Sequence, residues 1–311
     1  MILVCGEAII DMFVTAKPDG NLLAEPVAGG SPYNVALGLA RLGSRTGFLG
    51  GLSQDAFGRM MAAKLERDGI DLRFSPRSDR PSTLVVVSVD AAGVPTYRFI
   101  GEGAADRMLT VADLPATLPD DVTALTFGSL SMGVEPAGAT YLALAEREKG
   151  RRVISVDPNL RASVVGAIAA WKVRLERFIA TANIVKSSIE DIEGTYGHSA
   201  SADAVVAGWL KSGPSLVIVT RGADGATAYW HGGKASIAGR KVAVVDTVGA
   251  GDTFHAALLN HFERHRLLTP DGLKTLNEAA VKDAIAFAAA AAAVTCTRRG
   301  ADMPRLSDVT V

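Results

Sequence analysis

The chain has 311 residues, 48% hydrophobic and 21% charged, with 32 Lys+Arg against 33 Asp+Glu and a net charge of -1. That balance gives no electrostatic basis for nucleic acid or an anionic membrane as a main partner. Its two cysteines, Cys5 and Cys296, make neither a disulfide framework nor a four-ligand zinc site, and fit a reducing, cytoplasmic compartment.

The opening Met1-Ile2-Leu3-Val4-Cys5-Gly6-Glu7 is apolar without a basic stretch. Glu7 and Asp11 interrupt it early, which argues against a signal peptide. Residues 2–5 read as a strand, and 13–28 lack helical periodicity. Residues 31–43 read as a helix, with Ser31 as cap, Pro32 at the first helical position and Gly43 after the last turn. A second helix spans about 55–68, placing Phe57, Met60, Met61 and Leu65 on one face before Gly69. Residues 83–90 and 95–101 are extended runs around Ala91-Ala92-Gly93, a hairpin turn. Strands follow at 124–127, 153–156, 184–185 and 216–220, separated by helical stretches that include 136–149 and 201–211. The run 241–245 is β-rich and 254–262 is helical. The longest uncharged apolar stretch, 284–297, is rich in Ala and shorter than the ~20 residues of a bilayer span, so it reads as a core helix. The alternation predicts an α/β fold, a mostly parallel sheet covered by helices on both faces. The exceptions, about 12–29 and 82–107, read as a small β-sheet lid inserted in one domain over 1–311, or as an edge hairpin.

The 32 glycines exceed the usual ~7% share, and their positions carry chemistry. In Asp246-Thr247-Val248-Gly249-Ala250-Gly251-Asp252-Thr253-Phe254, two glycines lie between a β-rich run and an apolar helix. Bare glycines let backbone approach a ligand, and N–H groups converge at the helix start with the positive end of its dipole. That is an anion hole with a carboxylate, Asp252, beside it. A helix N-terminus with an acidic first turn is the plainer alternative. Two other phosphate motifs fail. Gly233-Lys234 is followed by Ala235 rather than Ser or Thr and lacks the upstream glycine of a P-loop, and Gly249-Ala250-Gly251 has Phe254 where a dinucleotide fingerprint needs its third glycine.

The run from Asp246 to Phe254 resembles the C-terminal motif of the ribokinase-like carbohydrate kinases, the PfkB family. The first motif of that family is similar to Gly29-Gly30-Ser31-Pro32-Tyr33-Asn34-Val35-Ala36, then Leu39-Ala40-Arg41-Leu42-Gly43 and Gly50-Gly51-Leu52-Ser53. The resemblance runs from residue 1 to about 305. Gly6-Glu7-Ala8-Ile9-Ile10-Asp11, Gly103-Ala104-Ala105-Asp106-Arg107 and Asp157-Pro158-Asn159-Leu160-Arg161 look most like the fructokinase branch, and less completely like 2-keto-3-deoxygluconate kinases. The resemblance implies a ribokinase-like fold with a β lid and ATP-dependent phosphorylation of a primary sugar hydroxyl. Fructose is the first expectation, then 2-keto-3-deoxygluconate, then ribose or another pentose.

Site roles follow residue by residue. The resemblance makes Asp252 the base that accepts the hydroxyl proton, with Gly249, Ala250 and Gly251 holding the phosphoryl oxygens. Asp11, Gly29, Gly30, Asn34, Arg107 and Arg161 would line the sugar pocket. Asp11 is otherwise a strand-end cap, Asn34 a helix-start cap, and Arg107 a surface residue. Lys186, Thr220, Gly222 and Gly225 would face the ATP phosphates, with Asn277 near the adenine; a structural ion pair is the other reading of Lys186. Relatives carry N-x-x-E where this chain has Ser188-Ile189-Glu190-Asp191, so either Glu190 or Asp191 organises hydrated Mg²⁺. Backbone carbonyls of Asp246, Val248, Thr295, Arg298 and Gly300 would form a monovalent-cation site for K⁺. His255 reads as a packing residue. The partners implied are a small sugar and ATP, with a homodimer through the lid. A non-catalytic sugar or nucleotide sensor would have lost Asp252, and a dehydrogenase would carry the missing fingerprint.

Overall fold

The computed structural model describes residues 1–89 and 95–310. In chain order the strands are β1 (Ile2–Cys5), β2 (Ile9–Ala16), β3 (Leu22–Gly29), β4 (Thr46–Leu49), β5 (Leu52–Ser53), β6 (Arg77–Ser78), β7 (Leu84–Val89), β8 (Pro95–Ile100), β9 (Ala124–Gly128), β10 (Val153–Asp157), β11 (Ile184–Ser188), β12 (Leu216–Thr220), β13 (Ala226–Trp230) and β14 (Gly233–Ile237). The helices are α1 (Ser31–Arg41), α2 (Ala56–Arg67), α3 (Ala137–Glu148), α4 (Ala162–Val165), α5 (Ile168–Thr181), α6 (Ile189–Tyr196), α7 (Ala202–Ser212), α8 (Ala250–Arg264), α9 (Pro270–Lys274) and α10 (Glu278–Cys296).

The main sheet has eight strands in the order β14-β13-β12-β11-β10-β9-β1-β4. It is parallel from β12 to β4, and β13 and β14 add an antiparallel edge. Side chains alternate across a strand, and β1 shows the result. Ile2 and Val4 enter one buried cluster with α1, α8 and α10, while Leu3 and Cys5 enter a second with α3 and α5. A sheet covered on both faces explains its continuous apolar strands. The second sheet, β3-β2-β7-β8, stands apart with a small core of Ile9, Val85 and Val87. It is formed by the segments expected to make the lid. The expected Ala91-Ala92-Gly93 turn lies outside the described residues.

Two expectations are corrected. Ser31 does not cap α1: Gly30 is the N-cap, no side chain caps the helix, and Ser31 is its first residue. Its hydroxyl is used elsewhere, as described below. The run 241–245 is not a strand. It is exposed, and its backbone contact is Val245 N–H to the Cys296 carbonyl at 2.8 Å, at a helix end that offers no strand edge. Sequence reading also passed over β4, β13 and β14, where Gly and Ala dilute the β-branched signal.

Among the described residues, α10 is the one helix long and apolar enough to cross a membrane. Here it is a core helix, with Ala284, Ile285, Ala288 and Ala291 buried in the cluster shared with α1 and α8.

Helices α1 and α8 approach closely because residue 38 has no side chain. A Cβ there would lie 2.8 Å from the Ala256 Cβ. Gly38→Val is expected to destabilise the fold by about 1–3 kcal/mol, the usual effect of overpacking, with a lower urea midpoint and an unchanged slope.

Candidate active site

The carboxyl ends of the parallel strands and the N-termini of α1 and α8 meet at one edge of the main sheet, where open α/β sheets bind ligands. Gly249 is the N-cap of α8 at φ 78°, a left-handed conformation that favours glycine. A Cβ at that position would crowd Ala301 and Met303 at 2.8 Å. The first turn of α8 then presents Ala250, Gly251 and Asp252. The Asp252 carboxylate is buried and fixed at both oxygens: the Ser31 hydroxyl donates to Oδ1 at 2.6 Å, and Asn34 Nδ2 donates to Oδ2 at 2.9 Å. Each carboxylate oxygen keeps lone pairs for a further donor.

A cavity of about 380 Å³ opens over Asp252. Asp11, Gly30, Asn34 and Arg161 line it, with Val248 and Gly249 on the α8 side and Val85, Tyr97 and Phe99 from the second sheet. Burial pushes the Asp11 carboxyl up to about 6, and Arg161 opposes that shift. Gly29 makes room for Asp11: a Cβ there would lie 2.5 Å from Asp11 Oδ2. Arg107 does not join the lining residues. It packs beside Gly101, where a Cβ would sit 2.5 Å from Arg107 Nε. A larger cleft of about 510 Å³ lies at the opposite edge around Arg147, Arg151 and Arg152, and no glycine lines it.

Lys186 lies under the glycine turn, 3.2 Å from where a Gly251 Cβ would stand. It is buried and pairs with Asp157 Oδ2 at 2.9 Å. Burial alone would lower this ammonium, yet Asp157, Asp191 and Asp252 hold its pKa above the ordinary lysine value. His255 is buried behind the pair, with Nε2 2.7 Å from Ser155 Oγ. Burial, helped by Lys186, lowers its pKa to about 3, so the ring stays neutral.

The remaining expected residues divide by what holds them. Thr220 ends β12 opposite Ser188, and its hydroxyl donates to the Ser187 carbonyl at 3.4 Å. Gly222 has φ 51° and open space around it. Gly225 is required by packing instead, because a Cβ there would collide with the Ile237 carbonyl. Asn277 caps α10, its side chain accepting from Ala280 N–H at 2.9 Å. Asp191 accepts from Ser188 N–H at 3.1 Å and Leu160 N–H at 2.8 Å, whereas Glu190 beside it is exposed. Asp246 joins the two segments expected to hold a cation, accepting from Val248 N–H at 3.1 Å and Gly300 N–H at 2.8 Å. Thr295 bonds the Thr253 hydroxyl at 2.8 Å, and the Arg298 side chain is paired with Asp302 and Asp308.

Sequence reasoning missed Ser31 and Asp157 as site residues. Ser31 is 221 positions from its partner Asp252, a pairing no local pattern reveals. Asp157 lies in the 157–161 motif and Lys186 has the expected ion pair as its other reading, but no local pattern joins the two across 29 positions.

A mostly parallel sheet covered by helices on both faces, a separate β sheet, and a fixed carboxylate at a glycine-turn helix start define the ribokinase-like class. The model of the pfkB family carbohydrate kinases matches residues 1–307, and the chain belongs to that family. It is 41% identical over 283 residues to the fructokinase of Rhizobium leguminosarum bv. trifolii, covering 91% of this chain and 86% of that one. The crystal structure of fructokinase with bound ATP from Xylella fastidiosa superposes with a TM-score of 0.89 at 27% identity, covering 99% of this chain and 96% of that one. A double mutant of fructokinase from Vibrio cholerae O395, bound to fructose, ADP and potassium ion, gives a TM-score of 0.81 at 26% identity, covering 98% and 96%.

With Asp252 read as the proton acceptor, Asp252→Asn removes it while keeping a carbonyl for Asn34 and an N–H for the Ser31 oxygen, so turnover is expected to fall by at least ~10²-fold with ATP affinity retained, read by single-turnover kinetics and calorimetry. Read as a sugar ligand, the Asp11 carboxylate accepts hydroxyl donors at both oxygens when ionised, and protonation turns one of them into a donor. With its pKa at about 6, kcat/KM for the sugar is expected to fall as pH drops below that value. The same limb is expected to vanish from the pH profile of Asp11→Asn.

Proposed function

We propose that this chain is an ATP-dependent fructokinase that phosphorylates a primary hydroxyl of fructose. The observation that carries the reading is the Asp252 carboxylate, fixed by Ser31 and Asn34 at the mouth of the α8 anion hole and facing the cavity. Asp252 takes the proton of the sugar hydroxyl as that oxygen forms its bond to the γ-phosphorus. The bond to the ADP oxygen breaks, and the backbone N–H groups of Gly249 and Gly251 receive the developing charge, joined by that of Ala250 once it leaves its 3.2 Å bond to the Thr247 carbonyl. Lys186 adds positive charge from below the same turn. Thr220 and Gly222 lie at the strand ends suited to the more remote phosphates.

Mg²⁺ supplies charge neutralisation on the transferred phosphoryl group. Among the described residues no cluster of three or more ligating side chains is poised to cage a metal, which fits an ion carried mainly by ATP and its waters. Asp191 lies near the Lys186–Asp157 pair, and each of its oxygens keeps a lone pair beyond the amide it accepts, so it and the exposed Glu190 are both open to those waters. The junction made by Asp246 brings together the 246–248 and 295–300 segments, whose carbonyls suit K⁺.

The cavity chemistry favours a neutral sugar over a sugar acid. Glu7, Asp11 and Asp252 line it against one guanidinium, Arg161. The carboxylate of 2-keto-3-deoxygluconate would meet the Asp11 and Asp252 carboxylates in a partly desolvated site. The four-stranded sheet serves as a lid, its Val85, Tyr97 and Phe99 closing the cavity and excluding water. Phe13, Leu23 and Tyr97 are exposed on one face of that sheet; a second copy laid on that face would cover them, the basis for a homodimer through the lid.

The test is steady-state ADP release with fructose, 2-keto-3-deoxygluconate and ribose, in K⁺ and in Na⁺. Fructose is expected to give the highest kcat/KM, and K⁺ to raise the rate. A preference for 2-keto-3-deoxygluconate would overturn the substrate assignment.

A further inference from the structure

The mechanism leaves one carboxyl in the cavity without a task. Glu7 follows β1 at the ligand edge of the sheet, is 1% exposed, and is among the cavity-lining residues with Asp11, Asn34 and Asp252. Its Oε2 accepts from Ser131 N–H at 3.2 Å. Its Oε1 is buried and has no hydrogen-bond partner among the described residues. A buried carboxyl oxygen without a partner is unfavourable, so it calls for a partner that arrives from outside the chain.

The backbone packs closely against it at the cavity wall. Gly30 borders both the cavity and Glu7: a Cβ there would lie 3.1 Å from the Glu7 carbonyl and 3.3 Å from its Cγ. Gly30 also has φ 101°, which disfavours any side chain. Across the cavity lining, Ser129 holds φ 62°, an uncommon conformation for a residue other than glycine. Burial pushes the Glu7 carboxyl up to about 7; Ser131 and Ser129 oppose that rise, and Asp106 adds to it. Near neutral pH the group is therefore available both as donor and as acceptor, which suits a hydroxyl that can play either part.

We propose that Glu7 is a sugar-contacting residue whose Oε1 hydrogen-bonds a hydroxyl other than the one Asp252 deprotonates. The proposal rests on the sugar-kinase reading above and deepens it. A site built to pair a hydroxyl discriminates strongly against an analogue lacking it, so Glu7 would set which sugar the cavity accepts.

The test is a comparison of wild type and Glu7→Gln on the sugar the wild type phosphorylates best, and on its singly deoxygenated analogues. Glu7→Gln is expected to raise the sugar KM about tenfold or more with the ATP KM unchanged. For one deoxy analogue, wild type and variant are expected to bind alike, which identifies the hydroxyl. A sugar KM equal to wild type, or the same loss on every analogue, overturns the proposal. Should the variant fail to fold, the wild type with ¹³C-labelled Glu carboxyls provides the second reading. Its Glu7 resonance is expected to shift on adding the sugar without ATP, and an unmoved resonance overturns the assignment. Wild-type turnover separately tests the kinase reading, and absence of turnover with every sugar overturns both.

Discussion

The structure turns on two hydrogen bonds to Asp252. Ser31 and Asn34 come from the first turn of α1, and Asp252 comes from the first turn of α8, 221 and 218 positions away. The bonds lock two helix N-termini together at one sheet edge and aim the carboxylate into the cavity. Gly38 lets the same two helices lie close further along. This pair of contacts joins the fold to the site: the α1–α8 packing that stabilises the core also sets the position of the Asp252 carboxylate, the base of the proposed mechanism.

The glycine turn explains why a phosphate-handling site needs no basic surface. Backbone N–H groups and the helix dipole supply the donors, and the buried ammonium of Lys186 lies beneath them. An uncompensated buried charge is costly, so Asp157 pairs with it, and Asp191 and Asp252 add to the surrounding negative charge. The net charge of -1 thus coexists with a strongly polarised site.

Much of this was legible in the sequence, for physical reasons. Continuous apolar runs marked the buried parallel strands, and Asp246 to Phe254 marked the helix start because its glycines have a stereochemical task. The misses have causes as definite. The 241–245 run has strand-like residues but no strand edge to pair with. Ser31 has the composition of a cap, yet its hydroxyl finds a stronger, charged acceptor in Asp252, and the cap falls to Gly30. Gly225 shares a motif with Gly222 but answers to the Ile237 backbone. In each case long-range partners decided the outcome, and a one-dimensional pattern does not contain them. Arg107 belongs to the same kind: its motif lies at the lid base, but its guanidinium packs against Gly101 rather than in the cavity.

A carboxylate is a weak base at neutral pH, so Asp252 is suited to a step in which the proton moves late. Phosphoryl transfer has that character, since its loose transition state places little demand on the attacking oxygen before the bond to the leaving group has largely broken. The work falls instead on positioning and on charge stabilisation. Positioning comes from the two bonds that hold Asp252. In the proposed mechanism, stabilisation comes from the α8 amides with Lys186 beneath them, and Val85, Tyr97 and Phe99, which line the cavity, help to exclude water. Low local dielectric strengthens those interactions, and a dry cavity denies water the place of the sugar hydroxyl. The lid sheet and the anion hole are for that reason parts of one device: neither accounts for selective transfer to a sugar without the other.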